Sequence, residues 1–403
     1  MSHLAGSAAE RDAGWVVGVV LACIPATIVV ATCVALPILP KIALAFPHQP
    51  GIVALTPLVA VLPTLTVGLA GAGAGVLGDK LGRRRLLVWS TLVFAAAGVA
   101  PIWLSSFALI LISRAVAGLA IGAMITSAVA LTGDYFSGRP LQRWLAAQGG
   151  VSAISGVIVS AASGALGEVS WRMAFLPMFI GWPLFAALIF IPAPKLVGQA
   201  TGTPAPEAAG PAPWTAWIGI FLLMSVGAAL IFPPAYELGA LLQEKALGSS
   251  WLTGLGVAIL AAGAVVSAFS VPSLRRISPP LKVAIAVGAS GAGTIMIAQA
   301  TTLVPIMVGA TLVGVGQGML GPVLSIWLLE ATPERLRGRA VGMFQTTTFL
   351  TLFVAPLAAR WLAIGLGSAS SGMRFFALGD LALVLAITPV FFRRSVRGLA
   401  SSG

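Results

Sequence analysis

Charge is what this chain of 403 residues has least of: only 8% of its residues are Asp, Glu, Lys or Arg, and 11 of them are acids. Soluble domains carry about 25% charged residues, so a water-facing surface around a core of this size is excluded. Cysteine is reduced to Cys23 and Cys33, ten positions apart and so about 15 Å along a helix. That spacing rules out a disulfide between them and leaves two small packing residues. Histidine occurs twice, as His3 and His48, too few for a transition-metal cluster. No P-loop is present, which removes ATP-driven chemistry. Gly-x-Gly repeats such as Gly71-Ala72-Gly73-Ala74-Gly75 sit in an apolar run, where they signal packing or bending and not phosphate binding. Neither catalytic machinery nor a cofactor or metal site is expected, and the chain does not read as an enzyme.

What is present is apolar: 58% of residues are hydrophobic and the mean hydropathy is +1.02. The apolar runs are continuous over about 20 residues, the length a helix needs to cross roughly 30 Å of hydrocarbon. Outer-membrane barrels alternate over about 10 residues instead. Runs bounded by charge, Gly and Pro predict twelve helices, near 15–38, 52–77, 87–105, 108–132, 144–167, 173–191, 214–236, 251–272, 282–300, 304–329, 340–362 and 374–392. The first is too long for the core of a signal peptide and should stay as a span.

Basic residues sort by side. With the N-terminus inside, the cytoplasmic segments hold 17 Lys and Arg and the outer segments hold 5, leaving Arg114 inside an apolar run. Such a bias predicts both ends in the cytoplasm. The net charge of +12 is therefore a topology signal and not a nucleic-acid footprint. Residues 192–213, rich in Pro, Gly and Ala, lack apolar bulk and read as a linker. It divides the chain into six-helix units, 1–191 and 214–403.

Those units are related. Gly118, Gly122, Asp134, Arg139 and Arg143 recur as Gly314, Gly318, Glu330, Arg335 and Arg339, all at an offset of 196 residues. The fold class expected is thus an all-α integral membrane protein, twelve transmembrane helices in two pseudo-symmetric six-helix bundles. Parallel repeats of this kind build transporters whose substrate site lies between the halves.

The stretch Gly75–Arg85 interrupts two long uncharged runs with four basic residues and one acid. It must be a connection on the wet side of the membrane. Gly75 and Gly78 permit close helix approach, Asp79 ends helix 2, and Gly82 allows a sharp turn. Arg83, Arg84 and Arg85 offer guanidinium forks to nearby carboxylates or helix C-termini, with the loop at Asp134–Arg143 the partner within reach. Gly75–Arg84 resembles the G-x-x-x-D-[RK]-x-G-[RK]-[RK] signature of the major facilitator superfamily, and the resemblance covers nearly the whole chain. Leu111–Gly118 resembles that family's helix-4 motif with a buried Arg. Ser170–Phe175 resembles its entry to helix 6, and Glu330–Ala340 its loop between helices 10 and 11. The resemblance, nearest to the drug:proton antiporters, implies alternating access, with Gly75, Asp79, Gly82, Arg83, Arg84, Asp134, Arg139, Arg143, Glu330, Arg335 and Arg339 forming a cytoplasmic latch. The plainer alternative is a topology anchor with ordinary surface ion pairs.

Arg114 is costly where it stands, by at least about 2.5–3.5 kcal/mol in a helix centre, and should face the bundle interior or a wet cavity unless it snorkels outward. It keeps its proton, so it would bind an anionic group or bias a nearby carboxylate. Groups able to titrate are few. Asp380 lies in the apolar stretch of helix 12, with a local pairing role as its alternative. Glu237 follows Phe232-Pro233-Pro234-Ala235-Tyr236, either lining an outer gate or exposed in a loop. Gly118 and Gly156 complete the candidate pathway. Around Gly156 the sequence departs from the antiporters, having no proline there; helix 1 has no acid, and the loop 273–278 after helix 8 has none either.

Weakly polar candidates for the cavity are Thr27, Thr32, Thr64, Thr66, Thr126, Ser127, Gln148, Ser152, Gln317 and Gln345 to Thr348, each also explicable as packing. They suit an amphipathic organic molecule better than a sugar. The function expected is proton-coupled efflux of small amphipathic compounds by a monomer in the plasma (inner) membrane, with the lipid bilayer, protons and a small-molecule substrate as its partners. Proton-coupled uptake of an organic anion is the alternative, and a non-transporting sensor or assembly factor the alternative of another class.

Overall fold

The computed structural model describes residues 14–191, 213–274, 276–333, 336–365 and 371–391, and every regular element among them is helical. Joining runs across short breaks gives α1 (Gly14–Ala45), α2 (Leu58–Leu81), α3 (Arg83–Val99), α4 (Phe107–Tyr135), α5 (Gly138–Val169) and α6 (Met173–Phe190). Then follow α7 (Trp214–Glu244), α8 (Ser250–Ser270), α9 (Pro279–Gln299), α10 (Leu303–Glu330), α11 (Arg337–Gly365) and α12 (Ser371–Phe391). Ten of these are long and apolar enough to cross a membrane, or 11 when the bent α2 is counted, and α12 is not among them. Most of the linker (192–212), Arg275 and Arg335 lie outside the described residues.

Several helices outrun the predicted apolar spans. Hydrophobicity marks where a helix leaves the membrane, whereas the backbone keeps its hydrogen-bond ladder until something stops it. α2 and α3 show this best. The stretch expected as an eleven-residue loop is helical except at Gly82, whose φ of 89° and ψ of 126° suit glycine alone. The connection is one residue long.

α2 bends by 58° between Leu58–Gly71 and Gly73–Leu81. A methyl group added at Gly71, Gly73 or Gly75 would meet nothing within 4 Å. Of the two roles open to the Gly-x-Gly run, bending is the one seen. The close approach expected at Gly75 is absent.

α7 breaks at Phe232–Pro233. Pro234 has no N–H for the Leu230 carbonyl, and the Ala235 N–H turns to Phe232 instead of Ile231. The freed Ile231 carbonyl accepts from Gln317 Nε2 of α10 at 3.1 Å.

The sequence repeat is also a packing repeat. A Cβ on Gly118 would strike Thr66 and the Pro63 carbonyl of α2, and one on Gly122 would lie 2.7 Å from Ala70. Gly314 and Gly318 press in the same way on Leu260, Ala264 and Ser267 of α8. In both halves two glycines one turn apart seat the fourth helix on the second, at backbone distance.

Candidate functional site

The two ends of the molecule differ. At the end carrying Gly82, Arg83 Nη1 donates to both oxygens of Asp134, at 2.9 and 3.1 Å, and Arg83 Nη2 stands 3.5 Å from Asp79. Arg84 Nη2 donates to the carbonyls of Leu188, Ile189 and Ile191 at 3.4, 3.1 and 2.8 Å. Those are orphan acceptors at and just past the C-terminus of α6, where a cation is favourable. Thus α2, α3, α4 and α6 are tied at one corner. Arg139 and Arg143, expected in a loop, lie exposed on the first turns of α5. In the second half Glu330 is exposed at the end of α10, and the Arg339 guanidinium stacks over Trp214 at 5.5 Å. An open recess of about 430 Å³ runs along this end of α11, lined by Arg339, Gly342, Met343, Thr346 and Thr347.

α5 shows how the halves meet. Toward the Gly82 end, a Cβ on Gly149 or Gly150 would meet nothing within 4 Å. Toward the opposite end, Gly164 and Gly254 of α8 touch through their backbones, a Cβ on Gly164 lying 2.8 Å from the Gly254 Cα. Gly167 faces Ser250 and Ile38 in the same tight fashion. Beyond them Glu168 Oε1 accepts the Trp251 N–H at 2.7 Å, and Lys41 Nζ reaches the Gly167 carbonyl at 2.7 Å and Glu168 Oε2 at 3.4 Å. At this end α5 of one half and α8 of the other are thus in backbone contact, whereas Gly149 and Gly150 toward the Gly82 end face open space. Gly156 lies between: its added Cβ would be 3.2 Å from Val29 of α1 and 3.7 Å from Ala261 of α8. Sequence reasoning missed Lys41 and Glu168. The available signals were the glycine pair beside Glu168 and Ser249, the N-cap of α8, whose side chain accepts from Leu252 N.

Two charged side chains are buried among the described residues, Arg114 and Glu237, at 0% and 3% exposure. Arg114 does not face the gap between the halves. Its Nη2 donates to the Gly98 carbonyl near the end of α3 at 3.2 Å, and its guanidinium stacks over Phe175 of α6 at 5.3 Å. Nε and Nη1 have no hydrogen-bond partner among the described residues. Glu237 lies one turn past the break in α7, beside buried Tyr236 and Leu238, and not in an exposed loop. Leu238 packs under Gly256 of α8, and Gly239 meets Pro40 of α1, so this segment wedges between the halves near their sealed end. Asp380 is exposed on α12, whose Gly379 packs on Gly291 and Ile295 of α9. The structure brings Asp380 to neither buried charge.

The weakly polar candidates mostly satisfy themselves. Thr27, Thr32, Thr64 and Thr66 donate to carbonyls three or four residues back in their own helices. Gln148 donates to Thr132 across α5 and α4 at 3.0 Å.

Known proteins place this arrangement. Solved structures of the same fold include a D-xylose–proton symporter, 15% identical with a TM-score of 0.69 over 92% of this chain and 97% of that one. A peptide transporter POT is 14% identical, with a TM-score of 0.72 over 94% of each chain. Among sequence relatives, an uncharacterised MFS-type transporter of Mycobacterium tuberculosis is 31% identical over 183 residues, 45% of this chain. That alignment spans only 24% of the length of the Mycobacterium protein. A gentisate transporter of Corynebacterium glutamicum is 24% identical over 78% of this chain and 73% of its own length. The family model for the Major Facilitator Superfamily matches residues 20–306, and on that match, with its all-helical fold, this chain belongs to the major facilitator superfamily of membrane transporters.

Proposed function

We propose that this chain is a proton-coupled secondary carrier that exports small amphipathic organic compounds from the cytoplasm by alternating access. The six-helix units 1–191 and 214–403 rock against each other across the linker 192–213, as a monomer in the plasma membrane. The bias of basic residues puts the Gly82 end inside, so the geometry described is the inward-facing state. Arg83, Arg84, Asp79 and Asp134, with Arg139, Arg143, Glu330 and Arg339, and with Arg335 assigned from the sequence repeat alone, make the cytoplasmic latch. The recess along α11 offers hydroxyls and apolar surface, which suits an amphipathic guest.

The observation that carries proton coupling is Glu237. An intramembrane acid is expensive and is retained where it does something; this one is buried in the segment of α7 that wedges between the halves. In this reading Glu237 is the proton site, and Asp380, exposed on α12, is the alternative. Arg114 fixes α3 and α6 against α4 and does not touch the substrate. In proteoliposomes under an imposed pH gradient, Glu237→Gln loses gradient-driven flux and keeps substrate exchange. Gradient-driven flux at the wild-type rate in that variant would remove Glu237 from the mechanism.

A second reading has one observation behind it. The relative from Corynebacterium is named a gentisate transporter, which favours an aromatic carboxylate as the cargo, the organic anion of the proton-coupled uptake reading. Flux driven inward by an acidic exterior, with aromatic carboxylates alone, would select it over export.

A further inference from the structure

Glu168 ends α5 with its side chain 41% exposed, and it serves partners from both halves of the molecule, among them Lys41 and Trp251. Oε2 faces Lys41 of α1, in its own half. Oε1 accepts the Trp251 N–H from the first turn of α8, in the other half. At that helix start Ser249 Oγ takes the Leu252 N–H at 3.1 Å, and Glu168 takes the neighbouring donor. A carboxylate is favoured there both by the free N–H and by the positive end of the helix dipole. Immediately below, Gly167 against Ser250 and Gly164 against Gly254 bring the two helices to backbone contact.

We propose that Glu168 is the clasp of the outer gate, holding the start of α8 when the gate is shut and releasing it when the gate opens. Lys41 makes the release reversible. It also caps the Gly167 carbonyl, so it stays with α5 when α8 departs, and the freed carboxylate keeps one charged partner. The hydrogen bond to Trp251 is thus made and broken without a charge being stranded. Glu168 acts on helix position and does not touch substrate. The clasp rests on the alternating-access reading of the chain, but not on the identity of the cargo or the proton site.

The test is access from outside. Ser160 is fully buried, and its carbonyl lies where a Cβ on Gly254 would fall, so it sits under the seal. In the full chain with Cys23→Ser and Cys33→Ser, Ser160→Cys is labelled with a membrane-impermeant maleimide in right-side-out vesicles. Glu168→Gln, whose amide oxygen can still accept the Trp251 N–H but without the charge, should raise the external labelling rate roughly threefold to tenfold, the range separating a charge-assisted from a neutral hydrogen bond. Glu244→Gln, whose carboxylate faces the Gly372 N–H within the second half, should leave it unchanged. Measurable labelling at equal rates in Glu168→Gln and the parent overturns the clasp, and so does equal acceleration by Glu244→Gln. A reporter that is labelled after denaturation but never in folded vesicles of any variant overturns the alternation itself, a result distinct from failure of the clasp.

Discussion

Arg83 and Asp134 meet through one guanidinium nitrogen, 2.9 and 3.1 Å from the two carboxylate oxygens, across the gap between the start of α3 and the end of α4. Asp79, one turn back on α2, is 71% exposed and only 3.5 Å from the same guanidinium. Arg83 therefore has two acids in reach and is seated on one of them.

That seating separates the two acids experimentally. Asp134→Asn should lower the thermal stability of the resting protein by about 0.2–1 kcal/mol, as for other part-exposed ion pairs. Asp79→Asn should leave melting almost unchanged yet slow transport, since its carboxylate has little to hold in this state. Wild-type flux in Asp79→Asn would reduce it to a topology anchor.

Gly82→Ala tests the one-residue joint. With φ at 89° the new side chain forces a backbone that non-glycine residues avoid, at about 1–3 kcal/mol. Melting in detergent should fall by that amount, and flux should fall with it because the angle between α2 and α3 is set there.

Paired glycine substitutions test the repeat. Gly118→Ala and Gly314→Ala each overpack a helix crossing, by about 1–3 kcal/mol, and should lower melting by similar amounts. Gly75→Ala, which meets open space, should be neutral or stabilising by up to about 1 kcal/mol through helix propensity. A loss at Gly75 as large as at Gly118 would contradict the packing described.

Gln317→Leu removes the partner of the Ile231 carbonyl that the break in α7 sets free. A buried acceptor left unpaired costs about 1–3 kcal/mol. Gln317→Asn, one methylene short, should recover little of it; full recovery would mean the contact is incidental.

The sequence made much of this legible and some of it not. Apolar runs located the helices because hydrocarbon imposes one length on every span. The loop at Gly75–Arg85 was misread because charged residues such as Asp79 and Lys80 end a membrane span without ending a helix; Gly82 alone ends it. The partner at Asp134 was readable from the 196-residue offset. Glu237 was ambiguous because the Pro233-Pro234 pair marks a break but not whether the chain beyond it is buried. Arg114 is buried, and the direction it faces depends on α3 and α6, which no local pattern encodes. Lys41 and Glu168 are 127 residues apart, and their meeting follows only from the crossing of α5, α8 and α1.

Where Gly164 meets Gly254 there are no rotamers to freeze. A closure built from long interdigitating side chains loses up to about 2 kcal/mol of rotational entropy for each one it immobilises, and must recover that loss by binding tightly. Two bare backbones lose none. A contact of this kind has no such loss to recover, which leaves the few polar bonds around it to tune how long the shut state lasts.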